Sequence, residues 1–162
     1  MNDQINQLSV EDIKSALDAF NGSIKHTPTT YAITLSKITG ADIYIKNENA
    51  QFTSSFKERG ALNKLMNLTD EQKKRGVIAA SAGNHAQGVA FHGSRLGIPT
   101  TIAMPLGTPF VKVSNTEELG AKVVQVGERF DETADEAMKM AEEQNLTVVH
   151  PFDDYHVMAG QG

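Results

Sequence analysis

The sequence predicts an α/β fold of three layers, an open parallel sheet with helices on both faces. Two observations carry this. From Val77 onward, short apolar runs alternate strictly with helical segments in the order β-α-β-α-β-α-β. The runs also lack polar interruptions, the pattern of strands covered by helices on both sides.

The elements follow in order along the chain. Ser9 and Asp12 form an S-x-x-D start to a helix that runs through Phe20 and ends at Asn21-Gly22. Thr27-Pro28 opens an extended stretch, Leu35 to Ile38 is a short helix stopped by Gly40, and Ile43-Tyr44-Ile45 is a strand. A polar loop over Asn47–Thr53 leads to a helix near Ser55, where Ser55 and Glu58 have the spacing of a capping box. Thr69-Asp70 and Glu71 cap a further helical turn. Val77–Ala80, Thr100–Met104, Ala121–Val126 and Leu146–Val149 are strands. Helices are expected from the Ser81–Asn84 turn to about Leu96, from Pro109 to Gly120, and from Phe130 to Gln144, where Ala134, Ala137, Met138 and Ala141 fall at helical spacing.

With 162 residues and 40% hydrophobic content, the chain has material for a buried core. Fifteen basic against 20 acidic residues give a net charge of −5, which argues against a nucleic-acid surface. There is no cysteine, so disulfides, thiolate metal sites and a cysteine nucleophile are excluded, and a reducing compartment fits. The polar, acidic start MNDQINQLSVEDIK lacks a leader pattern, and no apolar run reaches membrane-spanning length. A cytoplasmic protein without membrane partners is expected.

Two segments could carry chemistry. Lys57 falls in the first turn of a helix, where the macrodipole disfavours a cation. Beside apolar Phe56 its proton affinity could be lowered, and a neutral amine is what Schiff-base chemistry requires. On position alone, a solvent-exposed lysine bearing a small penalty is the favoured reading. Ser81-Ala82-Gly83-Asn84-His85 joins a strand to a helix at the edge where open sheets bind ligands, and its backbone N–H groups suit a carboxylate or phosphate. Ser81 and Asn84 would add side-chain hydrogen bonds, or merely cap the helix. No dinucleotide or P-loop fingerprint is present. His26, His92 and His156 lack metal-ligand spacing and are assigned to surface or satisfied core positions, so no metal is expected. Asp153 and Asp154 are read as turn formers, and Glu142-Glu143 as a solvated helix face.

Taken together, the two segments resemble a known family. Lys46-Asn47-Glu48-Asn49-Ala50-Gln51-Phe52-Thr53-Ser54-Ser55-Phe56-Lys57-Glu58-Arg59-Gly60-Ala61 is similar to the K-x-E-N-x-Q-x-T-G-S-F-K-x-R-G-A segment of threonine dehydratases. Ser81–Ala90 is similar to their second signature. The likeness runs from about Thr27 to Gly162, and the catabolic enzymes resemble it most. It implies the tryptophan-synthase β-like fold of pyridoxal 5'-phosphate enzymes, with the small domain and the start of the large one. Residues 1–48 would then belong to the large domain, 49–150 would form the small α/β domain, and 151–162 would re-enter the large one.

The implied activity converts L-threonine, and L-serine, to a 2-oxo acid and ammonia. By resemblance Lys57 would hold the cofactor and remove the substrate Cα proton, Phe56 would pack beside the cofactor, and Asn84 would bond its phenolic oxygen. Ser81, Gly83, Asn84 and His85 would line the substrate-carboxylate loop, with Ser55 near it. Partners would be a small amino acid and, in the complete enzyme, further copies of itself. Ser54 stands where the family usually has glycine, in a turn preferring positive φ. Thr29 and Ala32 also depart from the usual residues. Ala82 replaces the second serine that serine racemases use as an acid/base, which disfavours racemisation. The S-V-K-D-R and T-S-G-N-T segments of cysteine synthases are absent. Three functions are therefore expected in order: the lyase, a racemase or β-replacement enzyme on the same cofactor, and a non-catalytic remnant binding a partner or small anion. Because the family's phosphate-binding loop lies beyond position 162, the chain alone is expected to be inactive or barely active.

Overall fold

The structure is a computed structural model and describes residues 8–162. Those of the expected N-terminal features that fall on residues 1–7 lie outside it. The first helix, α1 (Val10–Phe20), starts as read: Asp12 N–H donates to Ser9 Oγ at 3.2 Å, Ser9 N–H donates back to the Asp12 carboxylate at 2.8 Å, and Asn21 closes the helix in the left-handed region. Strand β1 (Thr29–Tyr31) pairs antiparallel with β2 (Tyr44–Lys46), and the short helix α2 (Ile33–Thr39), stopped by Gly40, lies between them. Strand β2 falls where the sequence predicts one at Ile43–Ile45, and β1 lies in the extended stretch after Thr27-Pro28. Their pairing was not foreseen, because both are exposed along their length and carry no burial pattern that points to a partner.

A 3-10 turn over Glu48–Ala50 leads to α3 (Lys57–Met66), followed by α4 (Asp70–Arg75) with a Thr69–Gln72 capping box. Then come β3 (Val77–Ala80), α5 (Asn84–Arg95), β4 (Thr100–Met104), α6 (Phe110–Glu118), β5 (Lys122–Gln125), α7 (Phe130–Gln144), β6 (Thr147–Val148) and α8 (Tyr155–Gln161). Strands β3 to β6 form one parallel sheet in the order β5-β4-β3-β6.

Period-2 alternation in β3 divides the core between the two faces of this sheet. Val77 and Ala79 join Ile102 and Met104 against Ala61 and Leu65 of α3 and Ala86, Val89 and Ala90 of α5. Ile78 and Ala103 point the other way, onto Ala137 and Ala141 of α7. Val77, Ile78, Val89 and Ile102 are each 0% exposed, and burying such a side chain stabilises the fold by about 1.5–3 kcal/mol. The helices therefore cover both faces, as the sequence predicts.

The order also fixes where loops meet. The chain steps from β3 outward through β4 and β5, then α7 carries it back to β6 on the other side of β3. The point where direction reverses lies between the carboxyl ends of β3 and β6, the usual ligand crevice of an open α/β sheet.

One expectation fails. Ser55 does not cap α3, and Ser55 with Glu58 forms no capping box. The N-cap is Phe56, without a side-chain bond. Ser55 Oγ instead accepts from the Lys57 N–H at 3.2 Å, and Glu58 turns inward to Thr53. The spacing was right for a cap, but tertiary packing buries the glutamate completely. Asp154, read as a turn former, caps α8 by accepting from the His156 and Val157 N–H groups, and pairs with Lys64 of α3 at 2.6 Å.

Helix α3 lies close against α8 where Gly60 and Gly160 meet. A Cβ on Gly160 would sit 2.6 Å from the Arg59 carbonyl oxygen and 2.9 Å from Gly60 Cα. Backbone atoms cannot move aside cheaply, so Gly160→Ala should destabilise the fold by about 1–3 kcal/mol. Gly107→Ala, whose Cβ would meet nothing within 4 Å, should leave the urea midpoint nearly unchanged. Equal midpoints for the two variants would refute the close-packing account.

Glu48 ties the segment before α3 to that helix. Its carboxylate accepts from Arg59 Nε at 2.7 Å and from Arg59 at a second nitrogen at 2.9 Å, and also from Thr27 Oγ1 and Gln51. Burial pushes its pKa up, but the Arg59 and Thr27 bonds outweigh burial and leave it at about 2. A folded pKa below the ordinary 4.5 means the stabilisation is complete above that value and is lost as pH falls through the folded pKa. Urea unfolding from neutral pH to about pH 2 should show a steeper acid loss in the parent than in Glu48→Gln.

Candidate functional site

The site is built at the reversal point of the sheet. Lys57 is the first residue of α3, and its Nζ donates to the Pro151 carbonyl, just past β6, at 2.7 Å. Burial lowers the proton affinity of this amine. The Phe56 ring lies 5.3 Å from Nζ and is otherwise exposed.

His85, in the first turn of α5, is 3% exposed, and its Nε2 bonds the Val149 carbonyl at 2.8 Å. That carbonyl lacks a proton, so Nε2 is the protonated nitrogen and Nδ1 is a bare acceptor. Nδ1 is buried and has no partner. Burial first, then the charges of Lys57 and His150, hold His85 at about 4 against the bond from Val149. At neutral pH the imidazole is uncharged. Burial thus disfavours positive charge on both groups, and each is anchored to a carbonyl of the segment that follows β6. Lowered proton affinity is the condition under which an amine acts as a nucleophile or base.

The loop after β3 leads directly into His85. Ser81 N–H continues the β-ladder to the Ala103 carbonyl, and Ser81 Oγ accepts from the Gly83 N–H at 3.3 Å. Gly83 is the N-cap of α5 without a side-chain cap. Neither Ser81 nor Asn84 caps the helix, so the capping alternative falls. A Cβ on Gly83 would meet nothing within 4 Å, and the start of α5 opens onto free space. An uncapped helix start of this kind offers backbone N–H groups to an anion.

The expected residues are not all bonded to one another. Asn84 is exposed and lines a cleft of about 440 Å³ with Thr53, Ser54, Gln87 and Asn115. It makes no hydrogen bond to Lys57. Ser55 is buried and touches the lysine through its backbone N–H. His92 departs from the satisfied-core assignment: it is 1% exposed and its Nε2 has no partner. Burial and Arg95 hold it at about 4, so it is buried neutral.

Sequence reasoning missed Pro151, Thr53 and Glu58. The first acts through a backbone carbonyl, which no side chain announces. A hint for the other two existed in an acidic residue beside an otherwise apolar helix face. Among the described residues no group of three His, Cys, Asp or Glu is placed to hold a metal, and no helix is long and apolar enough to cross a membrane.

The residues present suit an aldehyde-bearing aromatic phosphate. They offer a primary amine of lowered proton affinity, an uncapped helix start open to an anion, and a buried bare acceptor beside them. Comparison with known proteins agrees. An L-threonine ammonia-lyase from Thermotoga maritima is 48% identical over 155 residues, covering 96% of this chain and 39% of that protein. The processed form of threonine deaminase isoform 2 from Solanum lycopersicum superposes with a TM-score of 0.82 at 39% identity, over 94% of this chain and 43% of that one. Maize serine racemase superposes at 0.87 with 27% identity, over 94% and 46%. The chain spans less than half the length of each of these proteins. Residues 21–162 match the family described as pyridoxal-phosphate dependent enzyme, and with most of its length inside that match the chain belongs to this family.

Proposed function

We propose that the chain supplies the lysine-bearing part of a site that converts L-threonine, and L-serine, to 2-oxobutanoate or pyruvate and ammonia. The observation that carries it is the placement of the Lys57 amine at the sheet's reversal point, beside the open start of α5. The Thermotoga maritima and Solanum lycopersicum proteins support the choice of reaction.

The bound cofactor supplies an electron sink for the bond broken at the substrate Cα. Lys57 Nζ holds the cofactor and takes the Cα proton. Its lowered proton affinity keeps a larger share of it neutral than an exposed lysine. Phe56 packs beside the cofactor ring, and Asn84 donates to its phenolic oxygen. Ser81, Gly83, Asn84 and His85 hold the substrate carboxylate at the helix start, and Ser55 keeps the first turn of α3 in place. Neutral His85 offers its bare Nδ1 as an acceptor there.

In this reading residues 49–150 form the small domain, since the parallel sheet and helices α3 to α7 fall inside it. Residues 1–48 and 151–162 belong to the large one. The complete enzyme is cytoplasmic and a homo-oligomer. Exposed Ile38 and Tyr44 offer apolar surface of the kind that subunit contacts cover.

The racemase alternative is favoured by the maize likeness, and disfavoured by Ala82, which has no exchangeable side-chain proton. D-serine exceeding pyruvate as the product from L-serine would select it.

Incubation with pyridoxal phosphate, borohydride reduction and peptide mapping should give one adduct, on Lys57, and Lys57→Ala should lose it. Scattered labelling of surface lysines would sink the assignment. Asn84→Ala should weaken cofactor affinity about three- to tenfold, the worth of one hydrogen bond, in a spectroscopic titration. The pH profile of Lys57 labelling should have its midpoint below the ordinary lysine value of 10.5, because burial disfavours the ammonium.

A further inference from the structure

We propose that Glu58 is a positioning residue for Lys57, acting through Thr53 to set the loop that presents the amine. The proposal rests on the reading of Lys57 as the cofactor lysine.

Glu58 follows Lys57 directly and is 0% exposed. An acidic residue in the first turn of a helix normally stands in water and gains from the macrodipole. Here it is buried, and its desolvation must be offset by bonds. One oxygen accepts twice from Thr53, from the N–H at 2.8 Å and from Oγ1 at 2.7 Å. The other oxygen is buried without a partner. A half-satisfied buried carboxyl is a poor device for stability alone. Its geometry makes sense as a clasp across five residues.

The clasped loop is one that would not hold its shape unaided. Ser54 sits at φ +57°, in the left-handed region that non-glycine residues avoid. Its N–H donates to the Gln51 carbonyl at 3.1 Å. Thr53, tied to Glu58, fixes the entry to this residue. Ser55 Oγ, accepting from Lys57 N–H, fixes the exit. Beneath the helix start, a Cβ on Gly88 would lie 3.0 Å from Glu58 Cα, so the backbone at Glu58 cannot yield toward α5. The clasp therefore acts on the one part left free, the loop from Thr53 to Phe56, and through it on where Ser55 and the Lys57 stem point.

This separates positioning from stability. The body of α3 is held by its contacts with α5 and α8 at Gly88, Gly60 and Gly160, none of which involves Thr53. Breaking the clasp should disorder the loop and misplace the amine, with little effect on global unfolding.

The test uses Thr53→Val, which removes the hydroxyl bond at nearly constant volume, Thr53→Ser, which restores it, and Glu58→Ala. The readout is the initial rate of pyridoxal phosphate addition at Lys57, trapped with borohydride and mapped, with exposed Lys112 in the same digest as reference and the urea midpoint measured in parallel. Thr53→Val and Glu58→Ala should slow labelling of Lys57 on the order of tenfold while Lys112 is unchanged, and Thr53→Ser should recover most of the rate. Thr53→Val keeps the test open should Glu58→Ala fail to fold. Parent-like rates in Thr53→Val, equal losses in the Val and Ser variants, or losses that merely follow the unfolded fraction would overturn the proposal. Failure of the parent itself to label Lys57 would overturn the cofactor assignment and this proposal with it.

Discussion

Helix α3 runs with its backbone nearly touching two other helices, and the placement of the site depends on that closeness. Gly88 of α5 passes under its first turn, and Gly160 of α8 crosses it near Gly60. Because glycines let these backbones approach so closely, the relative positions of the helix starts are set by hard contact more than by flexible stems. Lys57 begins α3, the Ser81–His85 loop begins α5, and Pro151 leads into α8. One packing arrangement brings all three to the same end of the sheet.

The electrostatics of that end follow from the same packing. Burial discourages positive charge on both Lys57 and His85, and the start of α5 adds the positive end of a helix dipole. A place that disfavours cations lowers the proton affinity of an amine and welcomes an anion. The proposed reaction needs both, an amine that gives up its proton and a held carboxylate. The Val149 and Pro151 carbonyls, one bonded to each nitrogen, orient the two groups without neutralising charge.

The segment before α3 is attached differently. Besides the packing of α1 and Ile24 against Leu62 and of Phe52 against Phe91, it is held by polar contacts: Glu48 with Arg59 and Thr27, Gln51 with both backbone groups of Lys25, and Lys46 with the Thr27 carbonyl. Such a network specifies one arrangement through direction and charge, whereas the sheet is held by area. Lys46, Glu48, Gln51 and Arg59, read in the sequence only as part of a motif, turn out to be the fastening between two parts of the chain.

Much of this could be read from the residues. The alternation of apolar runs and helical spacing determined the parallel sheet, because a two-face burial pattern leaves few other folds open. The Ser9–Asp12 box, the cap at Thr69 and the glycine stop after α2 act within a few residues, and local geometry is enough to decide them. The Ser81–His85 turn was legible as a strand-to-helix junction, and Ser54 as a residue forced into positive φ. Tertiary structure alone decided the rest. Whether Glu58 caps a helix or clasps Thr53 depends on what buries it, and that is α5, remote in sequence. Pro151 enters the site as a carbonyl, a group every residue carries and none advertises. The order β5-β4-β3-β6, which brings Val149 and Pro151 beside the loop after β3, is a choice among crossovers that local patterns do not encode.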